Sequence, residues 1–388
     1  MKNLILVLII SMVAFSCEKS IIQKQDLQGN WKLEILEEPK IDDENFVDIG
    51  NFFNPRMGMA FNGDSLDFFN GFYELDSNKK LKYVGNFTKY EIKNNKLYID
   101  KAFYKNEKMV WNVIKVANDT IFFESDDGKF YLKRFHFDSA KKDDFDKIIY
   151  SSTGCYGTCP IYNISIDSEG NVLFYGEGYT NPIGIYHSKA TTNQTEFIFG
   201  KFRNANPIKL EDKYYETVTD MATYTTTFVK DGKVIKTIYD YGYSNTPDEL
   251  IWAYVPIRNL NQSLHFKKIN DNPLPPTPEL DIIKIIDETG NRLILEKSEG
   301  FFLWTELMKS EITEKSFSPK YEIQLMGGFS YVGPKLKSKT NMNLKKLISD
   351  GRYYKFEFND GTSKTLDLGY NFIERNFSET DFHPKSEY

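Results

Sequence analysis

Three cysteines and four histidines in 388 residues leave little material for metal or redox chemistry. His136, His187, His265 and His383 stand far apart with no short pairing, so a zinc site built on any cysteine pair would lack half its ligands. Basic runs are missing as well. Lys and Arg total 49 against 55 Asp and Glu, a formal charge of −6, and no cluster offers the counterion release that drives nucleic-acid binding. The sequence contains no Gly-x-Ser-x-Gly, His-Glu-x-x-His or phosphate-loop pattern. "GEGYTN" lacks the third glycine and following helix of a dinucleotide loop, and "SDDGK", "KDGK" and "NDGT" lack the ligand series of a calcium loop, so all read as strand ends or hairpin turns. Without a convergent acid, base, nucleophile or metal set, the expectation is a non-catalytic protein with no cofactor.

One long apolar run is present, at the start. "MKNLILVLIISMVAFSC" places Lys2 ahead of Leu4 to Phe15 and then Ser16 and Cys17, too short to span a bilayer as a helix but matching the central region of an export signal. Small residues before a cysteine at the end of such a run resemble the lipobox of bacterial lipoproteins, with Phe15 bulkier than the usual residue there. The resemblance implies a signal peptide over 1–17, acylation of Cys17 with palmitate or a related chain, and a stable membrane anchor. "EKS" after Cys17 lacks the aspartate associated with inner-membrane retention in some bacteria, which points to the outer membrane of the cell envelope. Residues 18–26 read as a tether.

Aromatics make up 15% of the chain and fall on alternating patterns, which favours strands. From 27 to 137, "LKYVGNFTKYEI", "KLYID", "MVWNVIKVA", "DTIFFES" and "KFYLKRF" show period two between the turn signals Asn94-Asn95, Asn118-Asp119 and Asp127-Gly128. Such a meander predicts an antiparallel barrel or sandwich. Its Gly29-Asn30-Trp31 opening resembles that of lipocalin-like barrels, which implies Trp31 as a plug at the closed end. Phe61, Phe68, Tyr83, Tyr90 and Trp111 would then either line a small apolar cavity or fill the barrel, and filling is the expectation.

After the charged "DSAKKDDFD", residues 147–268 mix strands with two helices. Asn193 with Glu196 is expected to cap the first, and Thr246 with Pro247 at the first helical position to open the second. The Pro-rich 270–279 reads as an extended linker, and 280–378 as a further α+β domain with antiparallel sheet. The predicted class is therefore mainly β: a lipocalin-like antiparallel β-barrel followed by two α+β domains.

"GCYGTCPIYNISIDSEGNVLFYGEG", continued by "YYETVTDMATYTTTF", resembles an uncharacterised family found in exported and lipid-anchored bacterial proteins. Its Cys-aromatic-Gly-x-Cys-Pro-x-Tyr signature falls on Cys155, Tyr156, Gly157, Cys159, Pro160 and Tyr162, with Gly170, Gly176 and Asp220 following. The family carries no established activity. If Cys17 is acylated, Cys155 and Cys159 remain as a pair in an oxidising compartment. A redox couple usually spaces its cysteines three apart at a helix N-terminus, whereas here the spacing is four and strand-like residues follow Pro160. A structural disulfide closing a tight turn is the leading reading, with a labile bond or free thiols as the alternatives. Asp220 reads as a turn-capping carboxylate ahead of a ligand group. The functional expectation is an envelope lipoprotein that binds or scaffolds, its partners the membrane and an envelope protein or a small apolar ligand. The alternatives are thiol–disulfide chemistry at Cys155 and Cys159, and carriage of an apolar ligand in the barrel.

Overall fold

The computed structural model describes residues 21–34, 56–77, 80–101, 108–125, 128–138, 144–243, 245–270, 282–326 and 344–384. The export signal, Cys17 and nearly all of the proline-rich stretch lie outside them. The chain divides into two compact units, Met1–His136 and Phe137–Tyr388.

The first unit is a closed barrel of eight strands in sequence order: β1 (Gly29–Glu34), β2 (Gly58–Asn62), β3 (Ser65–Leu75), β4 (Leu81–Lys93), β5 (Lys96–Ile99), β6 (Met109–Ala117), β7 (Thr120–Ser125) and β8 (Gly128–Phe135). Every pairing is antiparallel, and β1 closes on β8 with Trp31 opposite Arg134. The turn signals act as read: Asn94, Asn95, Asn118 and Asp119 all take positive φ, the twist that two-residue hairpins need. Period two sends Phe61, Leu66, Phe72, Leu97, Trp111, Phe123 and Phe130 inward, where they pack as one cluster. Phe61, Phe68, Tyr90 and Trp111 are buried and Tyr83 is half-buried, and the first four belong, with the other buried inward side chains, to that one cluster or its surroundings. A short helix, α1 (Lys24–Leu27), covers one end with Leu27.

The second unit contains two sheets. The larger orders its strands β13 (Lys213–Tyr214), β15 (Lys233–Tyr241), β14 (Thr223–Lys230), β9 (Lys147–Ser152), β10 (Ile161–Asp167), β11 (Asn171–Gly178), β12 (Gly184–Lys189) and β16 (Lys267–Lys268). On one face lie α2 (Thr192–Ala205) and α3 (Asp248–Arg258), which bury Ile198, Phe199, Phe202, Leu250, Tyr254 and Ile257 against Ile148, Tyr150, Ile164, Phe174 and Phe228. On the other face lies α4 (Lys297–Lys309). The smaller sheet runs β18 (Arg292–Leu295), β17 (Ile282–Asp287), β20 (Tyr321–Met326), β21 (Leu344–Ser349), β22 (Tyr353–Phe358), β23 (Ser363–Asp367) and β19 (Glu311–Ile312). It is followed by α5 (Phe372–Asn376).

Helix α4 explains why these sheets share a unit. "KSEGFFLWTELMK" is apolar around most of its circumference, the pattern of a helix buried on all sides. Phe301, Phe302, Leu303, Trp304 and Leu307 are all buried, joining Ile149, Tyr175, Ile185 and Val229 of the larger sheet to Ile283, Ile285, Tyr354 and Phe356 of the smaller one. Each such side chain contributes roughly 1.5–3 kcal/mol on burial. The boundaries read at 147–268 and 280–378 thus delimit sheets that are built around one common core.

Two helix starts differ from the expectation. Thr191, not Asn193, caps α2: its backbone N–H donates to Gln194 Oε1 at 3.0 Å while Gln194 N–H donates to Thr191 Oγ1 at 3.3 Å. Both Thr-x-x-Gln and Asn-x-x-Glu satisfy the reciprocal pattern, and the earlier start gains two further helical residues. At α3 the cap is Pro247, because the Thr246 hydroxyl donates instead to Asp240 Oδ2 at 2.7 Å.

Candidate functional site

The signature residues gather at one end of the larger sheet, where β9, β10, β14 and β15 deliver their connecting loops. Cys155 and Cys159 are disulfide-bonded with Cα atoms 5.6 Å apart, inside the range that such a bond requires. Gly157 takes φ +153°, a conformation that L side chains rarely adopt, whereas Gly154 serves by size, since a Cβ there would approach Ile161 Cδ1 at 3.3 Å. Two hydrogen bonds seat the loop: Ser152 Oγ donates to Pro160 O at 2.7 Å, and Tyr156 N–H donates to Asp220 O at 3.1 Å. The sequence-predicted pair Tyr156 and Asp220 therefore meets through the main chain. Asp220 has φ +71°, tolerated best by Gly, Asn and Asp, and its carboxylate accepts from Thr219 Oγ1 at 3.3 Å. The main-chain carbonyl of Asp220, not its carboxylate, makes the contact to the loop. The chain after Cys159 enters β10, so no helix N-terminus faces either sulfur.

Apolar side chains are exposed around this loop. Tyr156 is 76% exposed at its tip, and Val218 and Met221, on the neighbouring segment that Asp220 anchors, are 52% and 42% exposed. Tyr215 is also exposed, with its ring centroid 5.3 Å from that of Tyr239.

Beneath the loop lies a tyrosine layer. Tyr162 and Tyr224 both stand opposite Ser152 in register, on the face covered by α3, and Tyr150 follows one row below. Tyr162 OH donates to Arg258 O at 3.2 Å, which ties the loop's exit strand to the end of α3. Tyr243 stacks on Tyr224 at 4.0 Å and 9°, and its hydroxyl shares a 2.8 Å hydrogen bond with Tyr150 OH. It does so at φ +65°, a strained value for a bulky residue, held by its N–H donating to the buried Asp240 Oδ1 at 3.1 Å. Burial pushes the Tyr150, Tyr243 and Tyr254 phenols well above their ordinary range, so all three stay neutral. Two successive positive-φ residues, Gly242 and Tyr243, create this stack, and alternation patterns carry no signal for it.

A separate cleft of about 550 Å³ opens between β15, β18 and the chain after α5. Lys213, Lys236, Thr237, Glu296, Glu299, Asp381 and His383 line it among others. Glu299, at 7% exposed, accepts the Glu296 N–H at 2.9 Å; burial raises its carboxyl to about 7, with the neighbouring Glu296 and Asp381 charges adding to the shift. Burial raises Glu296 as well, opposed by Lys213. The reciprocal placement of Glu296 and Glu299 at the start of α4 accounts for both carboxylates as helix caps. Among the described residues no group of three or more His, Cys, Asp or Glu side chains could hold a metal ion, and no helix is long and apolar enough to cross a membrane.

In the barrel, Trp31 is fully buried beside the helix-covered end. Its indole N–H donates to Leu27 O at 2.6 Å, and the Arg134 guanidinium lies 4.1 Å from its ring centroid while donating to Gln28 O at 2.6 Å and to Asp119 Oδ1 at 3.0 Å. Gly29 takes φ +114°, a conformation that L side chains rarely adopt, and a Cβ there would also displace Arg134 Nη1. Arg134 was not legible as a partner of Trp31, since a lone arginine in an alternating strand reads as solvated.

These features define a β-rich chain in which a packed barrel precedes a two-sheet unit bearing a disulfide-closed surface loop. Residues 146–261 match the model of a family described as a domain of unknown function (DUF6438), a span that includes the loop, the tyrosine layer, α2 and α3 and ends before α4. Neither the curated proteins nor the solved structures contain a significant match to the chain.

Proposed function

We propose that this is a lipid-anchored cell-envelope protein that binds a partner protein through the loop closed by Cys155 and Cys159. The observation that carries the reading is Tyr156, an aromatic side chain held out in solvent at the tip of a turn whose backbone is fixed by the disulfide, by Pro160 and by Asp220. Exposed aromatics on rigid supports are the side chains that dominate protein interfaces, because little conformational entropy is lost when they are covered. Val218 and Met221 extend the apolar surface beside it. A disulfide in so short a loop agrees with an oxidising compartment, and the segment ending at Cys17 supplies the anchor, with the outer membrane as the preferred site. The barrel, lipocalin-like in its Gly29-x-Trp31 opening, acts in this reading as a solid spacer.

A photo-crosslinking residue introduced at position 156 in intact envelopes tests the idea. A discrete protein adduct is expected at 156 and none with the same residue at the exposed barrel position Lys108. Equal labelling at both positions, or none at either, contradicts the proposal.

A further inference from the structure

Where α4 begins, its first residue drives a lysine into the middle of the two-sheet unit. Lys297 is 2% exposed, and its Nζ lies 2.9 Å from Oε1 of Glu177, itself 5% exposed on β11. The same Oε1 accepts a 2.6 Å hydrogen bond from Nδ2 of Asn163, which is fully buried on β10. The other amide atom, Asn163 Oδ1, is buried without a hydrogen-bond partner, and so is Ser151 Oγ opposite it in register. Ile149, Tyr175 and Phe301 lie in the same apolar layer. An amine, a primary amide and a carboxylate thus meet in one buried cluster, with both nitrogens on a single oxygen. A buried ion pair of this kind commonly costs more in desolvation than it returns, and an orphaned amide oxygen adds to that cost.

We propose that Lys297 and Asn163 form an intramolecular amide bond, with Glu177 as the proton carrier. Transfer of a proton from Nζ to Oε1 turns the ion pair into a neutral amine and a neutral acid, an exchange that burial favours because both charges vanish together. Turning the Asn163 amide over, a change in the assignment of its N and O atoms alone, sets Oδ1 against the protonated Glu177 oxygen and polarises the carbonyl. The amine then attacks Cγ: the Nζ–Cγ bond forms, the Cγ–Nδ2 bond breaks, and Glu177 relays the amine's second proton to the departing nitrogen. Ammonia leaves, no oxidant or cofactor takes part, and Glu177 is left as the neutral acid holding the first proton. Holding the reactants in a fixed chamber supplies the proximity that makes such an aminolysis feasible without activation. The product fastens α4, which lies outside the family-matched span, to β10, one of the two middle strands of the larger sheet.

Trypsin mapping of the full-length protein from envelopes decides the matter. Unmodified chain yields the peptide Leu293–Lys297, since Arg292 precedes it and Lys297 ends it. The amide blocks cleavage after Lys297, so we expect Leu293–Lys309 joined to Ile148–Lys189, lighter than the two together by one ammonia, with fragmentation placing the branch at Asn163. Recovery of free Leu293–Lys297 in full yield overturns the proposal. A branch at Glu177 with loss of one water overturns the assignment of Asn163. E177A protein that keeps its circular dichroism should release Leu293–Lys297 quantitatively, and retention of the branch in that variant overturns the role given to Glu177.

Discussion

The two units solve burial in opposite ways. In the barrel, the described inward positions are mostly apolar, and Arg134, packed over Trp31, keeps its guanidinium partly in solvent. In the two-sheet unit, Lys297, Glu177, Asn163, Asp240 and Glu299 are all buried together with the apolar core. The first arrangement needs only strands that alternate. The second needs particular polar groups to meet across segments more than a hundred residues apart, and such groups can be selected for recognition or chemistry as well as for packing.

The sharpest way to break this contrast is to cut the chain. A fragment covering 21–138 should fold and melt cooperatively, because its sheet is closed within itself. A fragment covering 144–270 would leave Ile149, Tyr175, Ile185 and Val229 without α4. It is expected to lack a cooperative transition and to bind an apolar dye; two-state melting of that fragment would show the sheet to be self-sufficient. Within the barrel, Trp31→Ala should cost about 3–5 kcal/mol, in the range of large buried aromatics, and calorimetry should show the loss in the barrel transition alone.

Glu299 offers a test confined to the second unit. Burial raises its folded carboxyl to about 7 from an ordinary 4.5. The folded state therefore holds more protons than the unfolded state between these values, so stability is highest below about pH 4.5 and declines as pH rises through about 7, by at most roughly 3 kcal/mol. Glu299→Gln should flatten that slope and stabilise the unit at neutral pH. A slope unchanged by the substitution would place the proton elsewhere. The smallest effect belongs to the disulfide: replacing Cys155 and Cys159 by serine closes no loop in the unfolded chain and should cost about 2 kcal/mol, while abolishing any adduct made through Tyr156 if the rigid turn is what the partner reads.

The barrel was legible in the sequence because each of its decisions is local. Period two fixes which side chains enter, and Asn94-Asn95 and Asn118-Asp119 fix the hairpins. The disulfide turn was legible for a similar reason, as its glycines, proline and cysteines lie within seven residues. The sheet covered on both faces was not, since "GFFLWTELMK" announces a buried helix without saying which two layers enclose it. Lys297 and Glu177 looked like ordinary solvated charges. Only the registers of β10 and β11, and the point at which α4 starts, bring them together with Asn163.

The membrane anchor and the rigid loop both depend on the state of three sulfur atoms. Protein taken from envelopes, alkylated before any reductant is added and then mapped by mass spectrometry, should show acyl chains on Cys17 and no alkyl group on Cys155 or Cys159, with both becoming alkylated after reduction. An unacylated Cys17, or internal thiols that alkylate at once, would contradict both the anchor and the rigid loop that presents Tyr156.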